Sequence, residues 1–398
     1  MDFSLGSEEE TLRLEVQKFV SEELMPLEHL FDHAPEIFIG NRWKTRAKVS
    51  ADPEIQRYVA IMEGLEQKAQ HRGFWELDVP KAFGGREITN VGMIAVTEEL
   101  ERSSVPFELG NHVSNILYAC KNEQIERFLL PCIRGEKTSC FALTEPGAGS
   151  DPSMLAMTAT PDGDDFILNG AKVFPTFADT ADFSLVFARL PGTRGHEGVT
   201  CFLVEKDTPG FRIPRSIATI AGSDPCEIVI DNCRVHKSRV LGEVGKGWSL
   251  NQAWLGSRRF LVGIRCYGFA RRLLRLVAKS LRNNPEQTAK FSGNFGALVA
   301  ELSSVRLLTY FGSWKADEGL DVRAEASSVK LLGTELLDKV VDFALEVLGP
   351  DAYANNHPVA RMFRQARVWR IVEGASELQR HVIQRSLFRD GTAWLELI

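Results

Sequence analysis

Phe141-Ala142-Leu143-Thr144-Glu145-Pro146-Gly147-Ala148-Gly149-Ser150-Asp151 is the stretch on which the reading of this chain turns. It gathers two glycines, two hydroxyls and two carboxylates into one turn, directly after an apolar segment. Glycine lets a backbone approach a ligand closely, and hydroxyls and amides hydrogen-bond a polar ring or a phosphate. Such a loop suits something flat or anionic. A dinucleotide fingerprint would need a third glycine three residues after the second and then a helix, but Pro152 stands there and strand-like sequence follows. The lysine of a phosphate-binding loop is missing as well.

On either side of this loop the hydrophobic period differs. Upstream it is helical: Leu12, Val16, Phe19, Val20 and Leu24 form one stripe that Pro26 stops, and Ser7 with Glu10 reads as a capping box at its start. Asp52-Pro53-Glu54 predicts a second helix start, and further helices are expected over 90–102, 109–119 and 123–130. Residues 34–52 have no period and read as a surface loop. Downstream the period falls to two, with strands expected over 155–160, 166–169, 171–174, 183–189, 201–205 and 226–230. Residues 161–164, Asn169-Gly170 and 191–195 are the turns between them. This spacing predicts a small barrel or sandwich. From Trp248 long helical stripes return, including Phe260 to Leu281 and Val329 to Val347, the latter ended by Gly349-Pro350, with others over 295–317 and 376–388. Four such helices suggest an antiparallel bundle.

Composition narrows the class. The 398 residues are too many for one core, and the 44% hydrophobic and 25% charged fractions are those of a globular chain. A net charge of −6 offers no case for nucleic acid, and no apolar run nears the ~20 residues of a membrane span. Arg271, Arg272, Arg275, Lys279 and Arg282 are spaced for a solvated outer helix face, with an anion-binding patch as the second reading. Seven scattered cysteines without a CxxC pair point to reduced thiols, and with no address visible in the acidic first residues the expected location is cytoplasmic. His29 and His33 stand four apart beside Glu28 and Asp32, but no other His or Cys cluster completes a site, so a solvated helix end is expected and no metal.

The order of these motifs resembles the acyl-CoA dehydrogenase family over nearly the whole chain. Leu143 to Asp151 is similar to the family's flavin loop, Asn169-Gly170-Ala171-Lys172 to its strand entry, Val240-Leu241-Gly242 through Gly247 to its barrel exit, and Val372-Glu373-Gly374-Ala375-Ser376-Glu377-Leu378-Gln379-Arg380 to its catalytic segment. Gly73-Phe74-Trp75, Gly84-Gly85, Glu98-Glu99-Leu100 and residues 123–136 look like its helical amino-terminal part. The resemblance implies a mainly α fold with a central β-barrel, in three domains: helical 1–136, barrel 137–241 and bundle 242–398. It implies FAD between barrel and bundle, and dehydrogenation of an acyl-CoA thioester to a trans-2-enoyl-CoA. An electron-transfer flavoprotein as acceptor and a homo-oligomer, dimer or tetramer, go with it.

By the same resemblance Glu373 is the base that takes the α proton. Ile371 and Val372 precede it, and desolvation by such neighbours would strengthen it as a base. Taken alone, Glu373 could equally complement the dipole of a following helix. Phe141, Leu143 and Thr144 are expected along the flavin ring, and Gly149 and Ser150 toward the pyrophosphate or the CoA arm. Thr176 takes the position near N5. Phe174 replaces the usual stacking Trp, its bland alternative being a barrel-core aromatic. Ser257, Arg258 and Gly374 are expected near the thioester, although Arg258 beside Arg259 also reads as a structural arginine.

Some positions depart from the family pattern. Phe177 stands for an Asn and Ala375 for a Thr, while Arg282 to Gln287 and Glu346 to Pro350 replace the runs that bind the adenosine side of FAD across a subunit interface. An adenosine half that is rebuilt, weakened or supplied by a different chain is therefore expected. Two alternative functions follow: an enoyl-CoA reductase-type relative, and a non-catalytic flavin- or acyl-CoA-binding partner in a hetero-oligomer.

Overall fold

A computed structural model describes residues 3–32, 34–35, 47–110, 113–221 and 224–390. The first helix, α1 (Ser7–Phe19), buries Leu12, Val16 and Phe19 as its period requires. The expected capping box does not form. Gly6 is the N-cap, and the Glu10 carboxylate is held by Arg13 at 2.7 Å, a stronger partner than a backbone amide. The second helix, α2 (Pro53–His71), starts where Asp52 predicts, with the Asp52 carboxylate accepting from the Glu54 N–H at 2.9 Å. The third is α3 (Asn90–Leu100). The two helices expected next shrink to a 3-10 turn at Asn115–Ala119, a π turn at Ile125–Leu129 and one α turn at Leu130–Ile133. The loop expected over 34–52 lies mostly outside the described residues, as does His33.

Among the described residues eight strands then form one sheet: β1 (Ser139–Ala142), β2 (Thr158–Asp162), β3 (Asp165–Val173), β4 (Phe183–Arg189), β5 (Val199–Glu205), β6 (Phe211–Ser216), β7 (Cys226–His236) and β8 (Val240–Leu241). The ladder runs β6-β7-β3-β2-β4-β5-β8, with β1 parallel to β4. This corrects the expectation of a closed barrel: the path is open, with β6 and β8 at its ends. Strand spacing counts strands, whereas closure depends on tilt and stagger between them. Asn169-Gly170 is likewise not a turn. It lies inside β3, where the register against β7 shifts between Leu168 and Gly170. A Cβ at Gly170 would come within 2.9 Å of the Met157 Cβ, so the strand bulges at a residue without one.

The last part is built of α4 (Gly247–Arg282), α5 (Pro285–Asp317), α6 (Arg323–Leu348), α7 (Pro358–Trp369) and α8 (Ser376–Asp390). Short connections make α4, α5 and α6 antiparallel neighbours. Ile264, Val277, Val329, Val340 and Val341 are fully buried among them. The helix α3 packs into this bundle through Ile94 and is pinned by polar contacts as well. Arg306 Nε donates to Glu98 at 2.9 Å, and Tyr310 Oη donates to Glu98 at 2.8 Å. Arg271 and Arg272, expected on a solvated face, turn out to be mostly buried and pair with Glu98 and Glu101 of the first helical part. Their helix is covered by α3 there, which the periodicity of α4 alone does not reveal. All seven cysteines are free and buried. Among the described residues, no helix is long and apolar enough to cross a membrane, and no group of three or more His, Cys, Asp or Glu suits a metal ion.

Candidate functional site

The Gly-rich loop is a tight turn clamped from beneath. Glu145 and Ala148 exchange backbone hydrogen bonds of 3.1 Å. The Glu145 carboxylate, 5% exposed, accepts from the N–H groups of Ala156 at 2.6 Å and Met157 at 3.1 Å and from Lys172 Nζ at 2.7 Å. Lys172 is fully buried on β3 and also donates to the Leu143 carbonyl at 3.0 Å. Burial pushes its ammonium down to about 8, against the opposing pull of Glu145. Sequence reading missed this ion pair as the staple of the loop. A lysine at an inward position of an alternating strand was the available signal.

Above the clamp the loop is open. A Cβ built on Gly147 or Gly149 would meet nothing within 4 Å, and Gly149 and Ser150 are exposed. The carbonyls of Leu143 and Thr144 are used internally, the latter by the Val173 N–H at 2.9 Å. The Phe141 ring stacks on Trp254 of α4 at 4.3 Å and so couples the sheet to the bundle. After β3 the chain turns through two aromatic residues in the left-handed region, Phe174 at φ +67° and Phe177 at +65°. An aromatic side chain at positive φ is strained, and such strain persists where the surroundings over-determine it. Phe174 is 53% exposed, which excludes the alternative of a core aromatic. Thr176, also exposed, reaches a cavity of about 320 Å³ between all three parts of the chain. Phe177, Phe107, Trp369, Arg265 and Glu108 share that wall. Arg265 and Glu108 form a 2.5 Å ion pair there, so part of the wall is ionic.

Across the bundle, Glu373 lies in the turn between α7 and α8. It is three residues short of the helix start, so it does not sit in the first helical turn. Its expected apolar surroundings are also corrected. Ile371 and Val372 are 54% and 43% exposed, and the nearest partner of the carboxylate is Arg258 of α4, whose Nη2 donates to Oε1 at 3.2 Å. The other oxygen, Oε2, is buried without a hydrogen-bond partner. The structure thus brings Arg258, Glu373 and Gly374 together, while the side chain of Ser257 falls outside the described residues. Glu373 and Gly374 both have positive φ, +56° and +97°. Gln379 Nε2 donates to the Glu373 carbonyl at 3.2 Å and to the Gly374 carbonyl at 2.8 Å. Ser376 Oγ anchors the start of α8 by donating to Glu335 at 2.6 Å.

The described residues thus include an exposed left-handed aromatic, an open glycine turn and a carboxylate with one orphaned oxygen. Comparison with known proteins agrees in extent. Three consecutive acyl-CoA dehydrogenase family models match: the N-terminal domain over residues 47–136, the middle domain over 140–233 and the C-terminal domain over 245–388. The chain is 30% identical to (R)-benzylsuccinyl-CoA dehydrogenase of Thauera aromatica, covering 99% of this chain and 98% of that one. It is 32% identical to a 3-(aryl)acrylate reductase of Clostridium sporogenes over 84% of this chain and 93% of the relative. The solved butyryl-CoA dehydrogenase of Megasphaera elsdenii superposes with a TM-score of 0.78 at 25% identity, covering 98% of this chain and all of that one. With its three segments matched in order and its fold shared end to end, this chain belongs to the acyl-CoA dehydrogenase family of flavoprotein oxidoreductases.

Proposed function

We propose that this protein removes two hydrogens across the α and β carbons of an acyl-CoA thioester, with Glu373 taking the α proton. The observation that carries the reading is the Glu373 carboxylate, held by Arg258 through one oxygen and left with the other buried and unpartnered. A carboxylate so arranged is oriented by one oxygen and free to accept a proton at the other. General-base catalysis requires that combination of geometry and a vacant lone pair.

The residues around the loop fit FAD. The space above Gly147 and Gly149 is open, and Phe174, two residues after Lys172 that braces the same loop, is an exposed aromatic on a strained backbone. In this reading Phe141, Leu143, Thr144, Phe174 and Thr176 hold the ring portion, and Gly149 and Ser150 the phosphate or CoA arm. Bound there, FAD supplies the acceptor for the β hydrogen. Arg258 and Gly374 flank the thioester, with Ser257 beside them. The adenosine half draws on a second chain of a homo-oligomer or a hetero-oligomer, and an electron-transfer flavoprotein accepts the electrons. Oxidation is the proposed direction, supported by the relative matched over 99% of this chain. The reductase similarity supports the reverse reaction at the same site as the second reading.

An anaerobic panel of butyryl-CoA, octanoyl-CoA, 3-phenylpropionyl-CoA and benzylsuccinyl-CoA tests this by following flavin absorbance. At least one is expected to bleach the flavin of the wild type. Glu373→Gln is expected to keep FAD and lose the bleaching by a factor of about a thousand or more, as for removal of an essential base. A Glu373→Gln protein that bleaches at the wild-type rate refutes the assignment.

A further inference from the structure

The turn that carries Glu373 needs an explanation of its own. Two successive residues with positive φ, one of them not glycine, cost free energy that tertiary contacts must offset. The contacts come from below. Lys330 Nζ donates to the Gly374 carbonyl at 2.7 Å, joining the two bonds from Gln379 on the same peptide segment. Lys330 and Gln379 are both fully buried.

Lys330 differs from the other buried lysines. Lys172 is matched by Glu145 and Lys315 by Glu325, each in direct ion-pair contact. Among the described residues the only hydrogen-bond acceptor of the Lys330 ammonium is the Gly374 carbonyl, and no carboxylate lies within ion-pair distance of it. Burying an ammonium with only a neutral oxygen in contact is expensive, and burial pushes this one down to about 8, against the opposing longer-range pull of Cys266, Glu373 and Glu335. A methionine or leucine would fill the same space on α6, between Val329 and Gly333, without that cost. Its one direct contact holds the Gly374 peptide, and its charge acts at longer range on Glu373 and Glu335.

We propose that Lys330 is a positioning residue for Glu373: by fixing the Gly374 carbonyl from beneath, it keeps the 373–374 turn left-handed and the carboxylate seated at Arg258 of α4. This rests on Glu373 being the base, and the two claims separate experimentally. The first variant is Lys330→Met, nearly isosteric and without a donor. It is expected to fold and retain FAD. Its anaerobic bleaching by whichever acyl-CoA of the panel works best on the wild type should slow about 10- to 100-fold, as for displacement of a catalytic group by about 1 Å. The acyl-CoA dissociation constant should change less than about threefold, the split expected when only transition-state geometry is lost. The α-deuterium isotope effect on bleaching should rise, which a merely structural role would not produce. Should Lys330→Met lose FAD, Gln379→Met removes the other donor to the same carbonyl and carries the same readout. A variant that holds FAD and bleaches within threefold of wild type, with an unchanged isotope effect, overturns the proposal. If Glu373→Gln is inactive while the Lys330 variant is normal, positioning alone fails; if Glu373→Gln is active, the base assignment itself fails.

Discussion

Substituting Gly374 by alanine should uncouple catalysis from cofactor binding. Its φ of +97° lies in a region where a β-carbon is strained, costing about 1–3 kcal/mol. The added Cβ would also stand 2.5 Å from Gln379 Nε2, with Leu378 Cδ2 at 3.3 Å and Arg259 Nη2 at 3.5 Å. The Gln379 amide must move, and it makes both bonds to the Glu373 and Gly374 carbonyls. Two such bonds are worth about 0.5–1.5 kcal/mol each. If the turn kept its shape, the combined cost would be about 2–6 kcal/mol. A surface turn relaxes before it absorbs that much, so the peptide swings and Glu373 moves with it. Helix α8 stays docked through Ser376 and Glu335, which the alanine does not touch. The expected result is stoichiometric FAD, a denaturation midpoint close to wild type, and anaerobic bleaching slowed about 100-fold. Stopped-flow absorbance with a matched FAD-to-protein ratio measures it. Bleaching within threefold of wild type would show that the left-handed turn does not aim the carboxylate, and the reasoning would fail.

Two further predictions follow from strain and from buried titratable groups. Phe174→Gly relieves a left-handed aromatic, so the FAD-free protein should be as stable as wild type or about 1 kcal/mol more so while FAD binds at least tenfold more weakly; equal FAD affinity by fluorescence titration would count against the stacking role. Stability should also fall steeply above pH 9. Burial pushes the thiols of Cys120, Cys132 and Cys140 up to about 12 and that of Cys233 to about 11, and raises those of Cys201 and Cys266 as well, all from 9.0. These six keep protons that the unfolded chain loses above 9.0, whereas Lys172 and Lys330, pushed down to about 8 from 10.5, work the other way between those values. Burial also raises the phenols of Tyr118 and Tyr310 from 10.0, so the groups that keep protons outnumber the two lysines and the net effect is a loss of stability as pH rises above 9. Urea midpoints under reducing conditions from pH 8.5 to 10.5 test this, and a midpoint constant to pH 10.5 would contradict it.

The sequence by itself determined the order of the architecture and the identity of the family. Helical period gave way to period two after Asp151 and returned at Trp248, because that pattern records which faces each element must bury. The flavin-loop and Glu-Gly-Ala-Ser motifs were legible as residues because loops and turns specify their chemistry locally. Tertiary structure decided what those residues do to one another. The sheet stays open because closure depends on the tilt and stagger of strands far apart in sequence. Arg271 and Arg272 pair with Glu98 and Glu101 because α3 crosses their helix. Glu373 meets Arg258 over 115 residues, and Lys330 sits 44 residues before the carbonyl it holds. A side chain's type is written in the sequence, but its environment is set by elements brought from elsewhere. A lysine between two apolar residues of a helix therefore reads as nothing in particular until the turn above it is in place.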